Sequence, residues 1–234
     1  MLEDLIEEFN KICNPEKAKA SSWFFKTGEG QYGYGDQFIG VTVPEQRKLA
    51  KKYKDSSLAK LEGSLASPIH EHRLTSLFIL VLQYQKAKDK KPFADFYLKN
   101  LKFVNNWDLV DSSAPYILGD YLLDKPKEQL YKLARSKDLW ERRVAMISCG
   151  GFIKKNEFSD ALEIAEILVG DKEDLIQKAV GWMLREIGNR DLKMEEKFLD
   201  KHYLSMPRTM LRYAIEKFSP KKKAHYMGKT NLLK

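Results

Sequence analysis

The chain has 234 residues, 43% of them hydrophobic, with 41 Lys and Arg against 33 Asp and Glu for a net charge of +8. That apolar content is ample for a core in one large domain or two small ones, and it excludes a disordered or fibrous chain. The longest apolar run, Leu77–Leu82, is far too short to span a bilayer, so the sequence predicts a globular protein with no membrane partner, and the positive charge favours polyanions as partners.

Helical periodicity runs along nearly the whole chain and alternation of period two is almost missing, which predicts an all-α fold. In chain order, Met1–Phe9 is acidic and amphipathic, unlike a secretory leader, and a cytoplasmic location is expected. Cys13 and Cys149 are too few for a thiolate zinc site and are expected to be reduced packing residues. Residues 21–45 interrupt the pattern. Gly28, Gly30, Gly33 and Gly35 crowd into one short stretch, too many for a stable helix, so a loop or hinge is expected there. Gly28-x-Gly30-x-x-Gly33 formally matches the dinucleotide fingerprint, but no βαβ pattern surrounds it and a nucleotide site is rejected. An extended link from Gly40 then leads to Pro44, which opens the first turn of a new helix.

His70-Glu71-His72 places two histidines two apart, on different sides of a helix, which predicts a solvated stretch and no metal site. Trp107 and Asp111 are four apart, which on one continuous helix puts an aromatic face beside a carboxylate. Two plainer readings stand next to that one: Asp111 with Ser112 and Ser113 caps a helix opening at Pro115, and Trp107 and Trp182 belong to the core. Arg143 has the same ambiguity, between a functional cation and an ion-pair partner. Phe158–Val169 carries apolar residues at helical spacing on one side, and Asp171 and Gly188-Asn189 punctuate the helix that follows.

Self-comparison reveals a repeat. His70–Leu77, Trp140–Ile147, Ile176–Met183 and Pro207–Ala214 align as one recurring helix, with Trp107–Asp111 as a fifth copy. The anchors Leu74, Asp111, Val144, Val180 and Leu211 are 37, 33, 36 and 31 residues apart, which points to a HEAT-like or TPR-like solenoid, with an irregular helical bundle as the alternative. If the second helices of such repeats share a concave wall, Trp107, Asp111, Arg143, Trp182 and Arg185 converge there.

Four segments then carry a resemblance. Phe38–Arg47, Asn106–Pro115 with Gly119-Asp120, Trp140–Arg143 and Ile176–Glu186 occur in the order found in the DNA alkylation repair family of AlkD-like DNA glycosylases, and the likeness covers roughly residues 20–220. It implies a right-handed superhelical solenoid of HEAT-like helical repeats, read here as a single domain over 1–220 followed by a basic tail over 221–234. It further implies hydrolysis of the N-glycosidic bond of positively charged alkylated purines, such as 3-methyladenine and 7-methylguanine, in double-stranded DNA, without base flipping and without a metal or other cofactor. A monomer is expected. Residue by residue, Asp111 matches the catalytic carboxylate, Trp107 and Trp182 match the tryptophans around the lesion's deoxyribose, and Arg143 matches an arginine beside the DNA backbone. Asn106 stands where the family prototype has an aromatic residue, and Phe24 lies near a position where it has a tyrosine.

Charge is then a matter of placement. Residues 221–234 hold five lysines and no acid, leaving only +3 for the other 220 residues. Arg73, Arg142, Arg143, Lys178, Arg185, Arg208 and Arg212 fall in corresponding helices and are expected to form one DNA-binding face. The tail is expected to be a solvated end. Two other functions fit the same scaffold: a non-catalytic binder of DNA structures such as branches, and a protein-binding helical scaffold.

Overall fold

The computed structural model describes residues 3–228, and within them fifteen α-helices follow one another with no strand beyond a single bridge between Gln37 and Ile69. The chain is all-α, as its periodicity predicts. Packing divides it into two compact units, Met1–Ile117 and Leu118–Lys234. Among the described residues no helix is long and apolar enough to cross a membrane.

The first unit contains α1 (Glu3–Ile12), α2 (Pro15–Phe24), α3 (Val43–Lys52), α4 (Leu58–Leu65), α5 (His70–Lys86), α6 (Lys91–Lys99), α7 (Trp107–Asp111) and the start of α8 (Ala114–Tyr121). Local chemistry sets these boundaries. Asn14 caps α2 by accepting from the Lys17 amide, with Pro15 in the first turn, and Glu45 accepts from both the amide and the hydroxyl of Thr42 at the start of α3. The centre of the unit is α5, whose Leu74, Leu77, Ile79 and Leu80 are all buried because α3, α4, α6 and α7 pack around it.

The start of α5 departs from expectation. His70, Glu71 and His72 form a buried first turn and not a solvated one, because the glycine-rich segment after α2 folds over it. Glu71 accepts from the amides of Ile39, Gly40 and Val41 (3.1, 2.8 and 3.4 Å), so one carboxylate pins the extended link, and Gln37 pairs with the backbone on either side of Ile69. Burial pushes the His72 imidazole down to about 4, leaving it neutral, with Nδ1 hydrogen-bonded to Ser67 at 3.0 Å. Gly40 is required where it stands. Its φ is +79°, and a β-carbon there would lie 2.0 Å from the Asn14 carbonyl oxygen.

The second unit takes the rest of α8 and continues through α9 (Glu128–Ala134), α10 (Leu139–Ile153), α11 (Ser159–Leu168), α12 (Asp174–Gly188), α13 (Leu192–His202), α14 (Arg208–Ala214) and α15 (Pro220–Gly228). Here the repeat is explicit. α10, α12 and α14 pack side by side as one layer, while α9, α11 and α13 form the second and pack against them. α11 and α12 bury residues at helical spacing, whereas α10 buries Arg143 to Cys149 without a break because helices pack around it on several sides, and only stacking of neighbouring pairs covers these surfaces. Glycines allow the closest approaches: Gly119 of α8 meets Gly151 of α10 backbone to backbone, and Gly181 of α12 lies against α14.

The expected solvated tail is in part a helix. α15 covers Pro220–Gly228 and buries Tyr226, which donates to Asp200 at 3.0 Å and meets Tyr203 and Phe218 edge-on, because an aromatic at this spacing reaches back to the groove beside α13. Lys221, Lys222 and Lys223 therefore belong to a packed element, and Lys229 and Lys234 lie outside the described residues.

The glycine contact yields a test. A β-carbon on Gly181 would stand 2.4 Å from the Met210 carbonyl oxygen and 2.5 Å from Tyr213 Cβ, so Gly181→Val is expected to destabilise by about 1–3 kcal/mol or more through overpacking in a denaturant titration. Gly170→Ala, where a β-carbon meets nothing within 4 Å, is expected to change stability by less than about 1 kcal/mol.

Candidate active site

The residues singled out in the first unit stand on α7, a helix of only five residues. Such a helix has no stability of its own, since isolated helices need roughly 12–15 residues. It is held by its first turn. Asn106 caps it, accepting from the Trp107 amide (2.8 Å) while its Nδ2 donates to Asp36 (3.1 Å). Asp108 accepts from the Leu109 amide with one oxygen (2.9 Å) and from His70 Nε2 with the other (2.8 Å).

His70 is thereby placed between two carboxylates. Its Nδ1 donates to Asp36 at 3.0 Å, and the second Asp36 oxygen accepts from Arg73 at 2.6 Å. Burial alone would depress the His70 pKa, but the neighbouring Asp108 and Asp36 outweigh it and the group is pushed up to about 9, so it is an imidazolium donating from both nitrogens. Asp36 shows the converse balance: burial opposes its charge, while His70 and Arg73 win and hold it below the usual carboxylate range. Two positive and two negative side chains close into a neutral cluster linking the glycine-rich segment, α5 and α7.

Aromatic rings cover this cluster. Phe25 stacks on Trp107 with centroids 5.3 Å apart and on Phe38 at 5.0 Å, and both phenylalanines lie against the His70 ring at 4.9 and 4.7 Å. A protonated imidazole against aromatic faces is favourable and dry. Phe24 meets the Trp107 ring edge-on at 6.0 Å. Trp107 is half-buried, with its rings braced from below.

Asp111 ends α7 and is half-buried. The turn after it is fixed by Ser113, which donates to the Leu109 carbonyl (2.6 Å) and shares a hydrogen bond with Tyr97 (2.8 Å). Burial, with a smaller contribution from the Asp111 charge, raises the Tyr97 phenol and keeps it neutral. Trp107 and Asp111 are thus brought together on one short helix, four residues apart as expected. Core burial of Trp107 and full burial of Asp111 are both ruled out.

The expected cations fare unevenly. Arg73 is 6% exposed and directed at Asp36, so it is a structural ion-pair partner and not part of a DNA-binding face. Arg142 is a second correction: Nε binds Asp171 at 2.7 Å and Nη1 donates to the Ser136 and Lys137 carbonyls, tying the start of α10 to the loop before α12. Both corrections have one cause, since each arginine meets a carboxylate brought in from a distant part of the chain, Asp36 or Asp171, before it meets solvent. Arg143 is buried and donates to the Leu175 carbonyl at 2.6 Å. On α12, Lys178 pairs with Asp174 (2.7 Å), Trp182 donates to Glu186 (3.3 Å) and is half-buried, and Arg185 pairs with Glu216. On α14, Arg208 donates to the Met227 carbonyl (3.1 Å), and Arg212 is exposed. Trp182 and these cations fall in the second unit, Trp107 and Asp111 in the first.

Sequence reasoning missed Asp36, His70, Asn106 and Asp108. The available signal was polar residues inside a repeat helix that is otherwise apolar, and an acid inside the glycine-rich stretch. Among the described residues no group of three or more His, Cys, Asp or Glu is arranged to hold a metal ion.

Comparison with known proteins adds an independent line. A family model described as DNA alkylation repair enzyme matches residues 5–218. The fold is similar to a solved structure described as a predicted DNA alkylation repair enzyme from Enterococcus faecalis, with a TM-score of 0.69 and 19% identity, over 89% of this chain and 97% of that one. No curated protein matches.

The buried cluster makes two predictions. Asp36→Ala leaves Arg73 and His70 without their shared partner and is expected to cost about 3–5 kcal/mol in chemical denaturation. The His70 contribution has a definite sign: because its pKa is raised from 6.5 to about 9, its stabilisation is complete below pH 6.5 and is lost as pH rises through about 9. Stability measured across that interval should fall more steeply in the wild type than in His70→Asn. Glu195, pushed up to about 8 by burial, weakens both proteins equally as pH rises, so the difference isolates His70.

Proposed function

The chain belongs to the DNA alkylation repair enzyme family, and from that premise we propose that it is a DNA glycosylase that hydrolyses the N-glycosidic bond of positively charged alkylated purines, 3-methyladenine and 7-methylguanine, in duplex DNA. The observation that carries this reading is α7. A carboxylate and a tryptophan face stand four residues apart on a helix too short to hold itself, and an ion-pair cluster anchors it. Such an investment suits a site that must hold its geometry.

The chemistry accounts for why one carboxylate is enough. Ordinary glycoside hydrolysis needs a general acid for the leaving group and a second carboxylate for the sugar. An alkylated purine already carries the positive charge, so it departs as a neutral base and needs no proton. Positive charge then develops on the deoxyribose. The preplaced Asp111 carboxylate stabilises it and orients the attacking water, while the electron-rich face of Trp107 adds to the stabilisation. Trp182 offers a face of the same kind. Lys178, Arg208 and Arg212, which stand closest to solvent, serve the phosphates, which position the duplex without reading its sequence, while Arg143 and Arg185, engaged with the Leu175 carbonyl and Glu216, brace the helices around them. The half-buried setting of Trp107 and Asp111 suits attack at the sugar more than capture of an extruded base. In this reading the protein acts as a monomer, in the cytoplasm, without a cofactor.

Release of 7-methylguanine from methylated duplex tests the proposal. Wild-type protein should release it, and Asp111→Asn should lower the rate by about 10²–10³ while leaving duplex affinity in place. Binding without release, indifferent to Asp111 and preferring branched DNA, would make the protein a non-catalytic binder. A protein with no salt-dependent DNA affinity would be a protein-binding scaffold.

A further inference from the structure

Helix α2 buries none of its ten residues, and its last two are Trp23, which is 84% exposed, and Phe24 at 56%. Among the described residues Trp23 is the most exposed large hydrophobic side chain. A third aromatic, Tyr34 at 67%, stands on the glycine-rich segment just beyond. These rings are held out from fixed roots. Phe25, two residues after Trp23, is stacked on Trp107, and Asp36, two residues after Tyr34, is locked to His70 and Arg73. Between those roots the segment closes on itself, with the Gly33 amide donating to the Lys26 carbonyl at 3.1 Å and a β-carbon on Gly33 excluded by the Phe25 carbonyl oxygen at 2.3 Å.

Two observations identify what covers these rings. From Lys17 to Gly28 the chain carries Lys17, Lys19 and Lys26, all exposed, and no acid. The patch is also continuous with α7, because Phe24 meets Trp107 edge-on. Exposed aromatics interleaved with lysines fit nucleobases flanked by phosphates, since every base has a π-face and the backbone is anionic. We infer that Trp23 is a wedge that enters the base stack of duplex DNA at the step beside the lesion, while the lysines around it engage the adjoining phosphates. This inference rests on the DNA reading above and adds to it a residue that touches base faces. The lesion itself stays in the helix, and unstacking its neighbour opens its deoxyribose towards Trp107 and Asp111.

The full-length protein tests this with a duplex that carries a tetrahydrofuran abasic analogue and 2-aminopurine at the adjacent position. Wild-type binding should change the 2-aminopurine emission. Trp23→Ala should abolish that change and bind about tenfold more weakly with the same salt dependence, and Trp23→Phe should keep most of both. Trp23 makes no buried contact, so the variants keep the wild-type circular dichroism. Equal affinity and an equal emission change in Trp23→Ala would overturn the wedge while leaving the glycosylase reading intact. A wild-type dimer in sedimentation that Trp23→Ala dissociates, with DNA affinity unchanged, would also overturn it in favour of a second copy as the occupant. Lack of any DNA binding by the wild type would remove both readings together.

Discussion

Asp36 sits in the interior of the first unit with its oxygens shared among Arg73, His70 and Asn106, and the position of α7 depends on how that charge is balanced. Taking a carboxylate, a guanidinium and an imidazolium out of water costs several kcal/mol per ion, which is recovered only when each charge finds well-placed partners. A cluster of leucines could fill the same space with equal or greater stability. What leucines could not do is fix orientation. Ion pairs with defined donors accept only one register, so α7 is held at one angle by Asn106 on its cap and Asp108 in its first turn. Because Trp107 lies between those anchors and Asp111 three residues beyond Asp108 on the same short helix, the candidate catalytic groups inherit that precision.

The aromatic rings around the cluster follow from the same constraint. Phe25 and Phe38 exclude water from His70, which strengthens its pairing with both carboxylates, and their faces tolerate its positive charge. Phe25 then carries the packing through to Trp107. The glycine-rich segment has to bend sharply to bring Phe25, Asp36 and Phe38 to one place, and Glu71 secures its end by accepting three consecutive amides. A segment that reads as a hinge is therefore a fixed cover with exposed aromatics on its outer side.

In the second unit the arginines show how charge is divided between folding and function. Arg142 and Arg143 tie the start of α10 to the loop before α12 and to α12 itself, and Arg185 pairs across to Glu216. Cations at equivalent places in a repeat are thus not equivalent in what they offer a polyanion. The net charge overstates the basic surface, because part of it is neutralised inside the fold. Lys178, Arg208 and Arg212 stand closer to solvent and are better placed to meet phosphates.

The helical class, the recurrence of one helix near every 31 to 37 residues, and the pairing of Trp107 with Asp111 were all legible in the sequence, because each rests on spacing along a single helix and spacing survives in any context. The fate of His70, Arg73 and the lysines after Pro220 was not legible. His70-Glu71-His72 carries the composition of a solvated turn, and only the fold of residues 25–42 over it turns those groups into a buried cluster. Asp36 and Asp108 lie 72 positions apart, and nothing local links either of them to His70. The sequence by itself determined which segments are helices and which residues share a helix face. The tertiary structure alone decided which polar groups leave water, because the cost of burying a charge depends on partners that arrive from distant parts of the chain.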